Sequence, residues 1–189
     1  MPLFEKTLST KKVYEGSIIS VEKMTVELPN KKTTHRDIIR HPGAAAVLPI
    51  DDKGYVHVVK QYRKPIEKVS IEIPAGKLDE SESPMDCAIR ELSEETGLIA
   101  GKITHVFSMV TTPAFCDEVI HFFVATDLME GDMHTDDDEF LERERIHIDK
   151  MIEMVLNGDI FDSKTITAAF LAKNISKGII DIDDTEKVK

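Results

Sequence analysis

Glu91, Glu94 and Glu95 lie within a single turn's reach of one another. At roughly 100° of helix per residue they share an arc of about 100°. Carboxylates crowded in this way repel one another unless cations neutralise them. The chemistry this offers is the grip of a hard divalent ion, and Mg²⁺ or Mn²⁺, with their preference for oxygen ligands, are the candidates. Glu91 and Glu95, at i and i+4, project from adjacent turns and can share or bridge cations; Glu94, at i+3 from Glu91, is close enough to join them. An ion held there can polarise a phosphoryl oxygen while another lowers the pKa of a bound water. Phosphoryl chemistry needs that neutralisation and positioning, with little covalent participation by the protein.

The stretch 76–98, GKLDESESPMDCAIRELSEETGL, must position these side chains. It reads as a loop entering a short helix. Ser83 is a natural N-cap, and Pro84 suits the first helical position, where its missing N–H costs nothing. Asp86 lies in the first turn, where its charge complements the helix dipole. Gly97 can take the left-handed conformation that ends the helix. Met85, Ala88, Ile89 and Leu92 recur at 3–4 residue spacing and predict the packed face, with the glutamates on another.

Gly76, Glu82, Arg90, Glu91, Leu92, Glu94, Glu95, Gly97 and Leu98 fall at the nine specified positions of Gly-x5-Glu-x7-Arg-Glu-apolar-x-Glu-Glu-x-Gly-apolar. This resembles the Nudix box without departure. The resemblance implies metal ligation by Glu91, Glu94 and Glu95, with the Ala75 carbonyl as a further ligand. Arg90 and Glu82 are expected to form a structural ion pair bracing loop against helix; ligation by Glu82 is the alternative. Gly76 and Gly97 are read as structural.

A second likeness lies in TPAFCDE, with Pro113 fifteen residues after Leu98. It resembles the loop of ADP-ribose pyrophosphatases within the Nudix superfamily, although Ala114 stands where glycine is usual. Gln61-Tyr62-Arg63 and Glu72-Ile73-Pro74-Ala75-Gly76 also look like that subfamily, so the resemblance spans about residues 12–175. It implies Mg²⁺-dependent hydrolysis of ADP-ribose to AMP and ribose 5-phosphate. A GDP-type or broader nucleoside diphosphate sugar is the alternative substrate, and a non-catalytic nucleotide sensor the alternative class. Arg63 matches a diphosphate-contacting position, where a bidentate guanidinium suits the anion. Arg36 and Pro113 match substrate-contacting positions. Glu72 either accepts from an adenine amino group or is a buried-edge carboxylate. The general base is expected in the acidic loop after the core strands, where Glu139 is favoured over Glu142, Asp137 and Glu94. The subfamily pairs its N-terminal strands between subunits, which implies a homodimer.

The 189 residues suffice for one well-buried domain with a small accessory element. A formal charge of −11 argues against a nucleic-acid backbone as partner and requires local cations to receive an anionic substrate. No apolar run approaches bilayer length, and MPLFEKTLSTKK lacks a signal-peptide core. Cys87 and Cys116 make no disulfide framework, so a reducing cytoplasm is expected.

Residues 12–40 alternate polar and apolar around a Pro29-Asn30 turn and predict an antiparallel hairpin or meander. Residues 44–50 are nearly all apolar, the pattern of a central strand buried on both faces. Strands follow at 55–62, 103–110, 119–125 and, less regularly, 141–148; 128–140 reads as an acidic loop. Asp149 and Asp162 or Ser163 can cap two further helices. The expected fold is α+β, an α/β/α sandwich with a mixed sheet, behind an N-terminal β meander. The expected organisation is residues 1–41 as that element, 42–180 as the hydrolase domain, and 181–189 as a frayed tail.

Overall fold

The computed structural model describes residues 3–134 and 140–182. Its elements run in the order β1 (Lys6–Glu15), β2 (Ser20–Glu27), β3 (Thr33–Arg40), β4 (Ala44–Pro49), β5 (Tyr55–Arg63), a 3₁₀ turn (Lys64–Ile66), β6 (Lys68–Glu72), β7 (Ala75–Lys77), α1 (Pro84–Thr96), β8 (Leu98–Val110), β9 (Val119–Glu130), β10 (Leu141–His147), α2 (Ile148–Asn157) and α3 (Ser163–Ser176). The fold is α+β, a mixed sheet and antiparallel strands with three helices.

Two compact units divide the chain, one comprising residues through Gly43 with Met109–Ile120, the other Ala44–Ser108 with His121 onward. In the first, β1, β2 and β3 form an antiparallel sheet in that order. Residues 109–120 belong to this unit as well: Cys116 bridges Ile39, and Asp117 takes Arg40 at 2.8 Å and the His41 N–H at 2.9 Å. The strand β1 begins well before residue 12, where the alternation starts. All ten of its residues are exposed, so no apolar face marks it in the sequence.

In the second unit, four strands lie in the order β7-β4-β9-β8 and three in the order β10-β5-β6. Every residue of β4 is buried, as its unbroken apolar run predicts. Ala45 and Val47 of β4, Phe123 and Ala125 of β9, and Leu98 of β8 pack against Cys87, Ala88 and Leu92 of α1. That cluster seats the helix bearing the carboxylates on the sheet. Both β8 and β9 run longer than their apolar cores suggest. At Gly101 an added Cβ would stand 2.8 Å from the Cβ of Asp127, which itself has φ +53°, so the two strands lie close together within those extensions.

The helix ends follow local chemistry. Ser83 Oγ accepts from the Asp86 N–H at 3.1 Å, Pro84 opens α1, and Gly97 closes it at φ +67°. Asp162 caps α3, taking the Thr165 N–H at 2.9 Å. The cap of α2 is His147 rather than Asp149: its Nδ1 accepts from the Asp149 N–H, and Asp149 sits in the first turn. Ring nitrogens are rare caps, so the carboxylate is the residue that sequence rules select.

Candidate active site

The packed face of α1 differs from the apolar stripe in its sequence. Ile89 is 49% exposed, whereas Glu91 and Glu95 are 8% and 3% exposed and lie among Cys87, Ala88 and Leu92. The helix thus presents two of its three clustered carboxylates inward, toward β7 at Ala75 and Gly76. The Ala75 N–H donates to Glu95 Oε2 at 3.1 Å. A Cβ on Gly76 would fall 1.8 Å from Glu91 Oε1, so the Glu91 carboxylate fills the space a side chain would occupy there. Cys87 sits beneath the same strand, its thiol 3.5 Å from the Lys77 carbonyl. Burial, then the nearby Glu82 and Glu91 charges, push that thiol up to about 12, so it is inert as a nucleophile.

Arg90 divides its guanidinium between two tasks. Nε and Nη2 hold the two oxygens of Glu82 at 2.8 and 2.9 Å, tying the loop to the helix. Nη1 lies between Glu91 Oε1 at 2.6 Å and Glu94 Oε2 at 2.9 Å. The bond from Arg90 holds the Glu82 carboxyl at about 2.

The donors here fit a divalent cation by their chemistry: carboxylate oxygens with a peptide oxygen nearby, no sulfur or imidazole, and two of the carboxylates buried enough to resist competition by water. With Arg90 interposed, no three acidic, histidine or cysteine side chains among the described residues converge on one point. The cation that joins Glu91 and Glu94 in this arrangement is Nη1 of Arg90. The same planar guanidinium holds Glu82 through its other two nitrogens, so Nη1 is fixed in place by that brace, and the Glu91 and Glu94 side chains are the groups that can turn away from it.

A second ionic group adjoins this one. Arg63, ending β5, binds Glu72, ending β6, through Nε at 2.9 Å and Nη2 at 2.7 Å. Glu72 is 3% exposed. Lys164 of α3 also contacts Glu72 Oε2 and lies 3.1 Å from Asp162 Oδ1. The hydrogen bonds that Arg63 donates to Glu72, and more weakly the charges of Glu72, Glu95 and Asp162, outweigh burial and raise the Arg63 pKa. Burial alone would raise the Glu72 carboxyl, but Arg63 and Lys164 override it and hold the group at about 2.

This shift has a pH consequence of definite sign. The folded-state value lies below the ordinary 4.5, so the interaction contributes fully above about pH 4.5 and is lost as the pH falls toward 2. The contribution is on the order of 3 kcal/mol. Replacing Glu72 by Gln should flatten the acid limb of the stability profile between pH 4.5 and 2, measured by urea midpoints at pH 5, 4 and 3. An unchanged acid limb would remove Glu72 from the account.

Of the other residues singled out in the sequence, Arg36 and Pro113 belong to the first unit. Arg36 pairs with Glu5 through Nε at 3.1 Å and Nη2 at 2.7 Å. Pro113 starts a turn in which the Phe115 and Cys116 N–H groups donate to the Thr112 carbonyl. Ala114 is outside the positive-φ region, so the turn holds without glycine there. Glu142 is exposed on β10 opposite Lys60. Asp137 and Glu139 lie outside the described residues. Lys164 had no signature in the sequence. Only its place just inside a capped helix, beside a buried carboxylate far along the chain, reveals it.

A family model described as the NUDIX domain matches residues 39–169. The chain is 42% identical over 168 residues to an ADP-ribose pyrophosphatase of Bacillus subtilis (strain 168), covering 88% of this chain and 91% of that protein. It is also 42% identical over 166 residues to a methanol dehydrogenase activator of Bacillus methanolicus, covering 87% and 90%. A crystal structure titled ADP compounds hydrolase matches the fold with a TM-score of 0.82 at 23% identity, covering 93% of this chain and 95% of that one.

Proposed function

Since the chain belongs to the Nudix family, a hydrolase family acting on pyrophosphate bonds, we propose that it cleaves the diphosphate of ADP-ribose, giving AMP and ribose 5-phosphate. The observation that carries this reading is the pairing of two ionic groups: Glu91 and Glu95 against β7 with Glu94 joined to Glu91 through Arg90, and Arg63 on its buried carboxylate. The first suits divalent cations, with Mg²⁺ the proposed ion and Mn²⁺ a substitute; the second suits the diphosphate. The similarity to an ADP-ribose pyrophosphatase over most of both chains selects the nucleotide.

Glu91, Glu94, Glu95 and the Ala75 carbonyl would hold the ion. What Mg²⁺ supplies when bound there is neutralisation of phosphoryl charge and a water acidic enough to attack near neutral pH. Arg63 binds the diphosphate and steadies the charge that develops on it. Of its two readings Glu72 is the buried-edge carboxylate, its oxygens held by Arg63 and Lys164, and Arg36 and Pro113 are further substrate contacts. Glu139 is the proposed general base, with Glu94 as the alternative. Gly76, Glu82, Arg90 and Gly97 shape the turn and helix.

The wholly exposed β1, with Leu8, Val13 and Tyr14 open to solvent, supports a homodimer formed through the N-terminal strands. Free thiols at Cys87 and Cys116 suit the cytoplasm as the compartment. No helix of the described residues is long and apolar enough to cross a membrane. The test is product analysis with Mg²⁺ on ADP-ribose, GDP-mannose and related sugar nucleotides. AMP from ADP-ribose in preference to GMP from the guanine substrates is expected. Preference for guanine would reassign the substrate, and tight nucleotide binding without any product would make the protein a sensor.

A further inference from the structure

The proposed grip on the diphosphate depends on Arg63, yet two nitrogens of that guanidinium already serve Glu72, at 2.9 and 2.7 Å. Glu72 is a buried carboxylate. An arginine that is its sole counter-ion cannot turn to a second anion without leaving a buried charge uncompensated, and the interior penalises that heavily. The third member of the group removes this obstacle.

Lys164 contacts Glu72 Oε2, and only 12% of its side chain is exposed. It cannot drift from that place. Asp162, 3.1 Å from the ammonium, is fixed as the α3 cap through the Thr165 N–H at 2.9 Å and the Thr165 hydroxyl at 2.6 Å. That hydroxyl in turn accepts from the Ile73 N–H at 2.9 Å, next in the chain to Glu72. The start of α3 is thereby stitched to the end of β6. An ammonium is a compact charge with three rotatable donors, suited to serve Glu72 and Asp162 together.

We infer that Lys164 is the standing counter-ion of Glu72, and that its presence lets Arg63 release Glu72 and bind the phosphate oxygens of a nucleoside diphosphate. Lys164 is a positioning residue, acting on substrate through Arg63. Its role rests on the diphosphate-hydrolase reading of the site.

The test compares wild type, Lys164→Met, Lys164→Arg, and Lys164→Met combined with Glu72→Gln. Steady-state hydrolysis of ADP-ribose with Mg²⁺ and calorimetric binding of α,β-methylene ADP-ribose are measured for each, with melting temperatures as the check on folding. In Lys164→Met, Glu72 keeps Arg63 to itself, so KM and the analogue Kd rise about tenfold or more while kcat falls less. Lys164→Arg keeps the counter-ion and stays within about threefold of wild type. In the double variant residue 72 has no charge with which to hold Arg63, and KM returns to within about threefold of wild type. A lysine that merely props α3 would lower the melting temperature without moving KM, and Glu72→Gln would repair nothing. Unchanged KM and Kd in Lys164→Met, or no repair in the double variant, overturns the assignment while wild-type turnover leaves the diphosphate reading standing. No AMP from the wild-type protein defeats that reading, and the role of Lys164 with it.

Discussion

Glu95→Gln should leave a folded protein that no longer turns over ADP-ribose, with kcat lower by on the order of 10³-fold. The structural reason for a preserved fold is specific. Glu95 is buried, and its Oε2 accepts from the Ala75 N–H at 3.1 Å. A glutamine oxygen can accept the same bond, so the Ala75 N–H at the start of β7 keeps its partner. What disappears is a negative charge at the heart of the proposed cation site, and an amide is a far poorer partner for Mg²⁺. Circular dichroism and melting should therefore match the wild type closely, and Mn²⁺ counted by electron paramagnetic resonance should bind much more weakly. Activity within tenfold of wild type would refute the assignment of Glu95 as a ligand.

The second large effect is expected at Gly76. Its backbone is not in the left-handed region, so the usual conformational reason for glycine does not apply. The reason is space. An alanine Cβ would stand 1.8 Å from Glu91 Oε1 and 2.1 Å from its carboxyl carbon, so the carboxylate must move. Because the displaced atoms are the end of a flexible side chain, stability should suffer little. The displaced group is nevertheless a proposed ligand, and it also loses its 2.6 Å contact with Arg90 Nη1. Gly76→Ala should thus lower kcat by about 10²-fold or more at nearly unchanged melting temperature. A mutant that retains full activity would show that Glu91 need not lie against β7.

Both predictions concern residues that were legible in the sequence, because the features that define them are local. Ser83, Pro84 and Gly97 bound the helix through bonds within one turn, and the spacing of the glutamates sets their arc directly. The burial of 44–50 follows from an unbroken apolar run. The inward orientation of Glu91 and Glu95 was not legible: a helical wheel assigns acids outward and Ile89 inward, and only the seating of α1 against β7 reverses them. The partnership of Lys164 with Glu72 joins residues far apart in sequence through the register of α3 on β6. No periodicity encodes that. Strand β1 escaped because burial is what produces alternation, and none of its residues is buried.

The division of labour within Arg90 bears on how the protein matures. Three acids on one helix would be an obstacle to chain collapse if they had to wait for an ion to arrive. Nη1 offsets two of them from within the chain, and the rest of the same planar group is bolted to Glu82. The chain therefore carries its own offset for the repulsion between two of these acids, and that part of the scaffold can form whatever the supply of divalent ions.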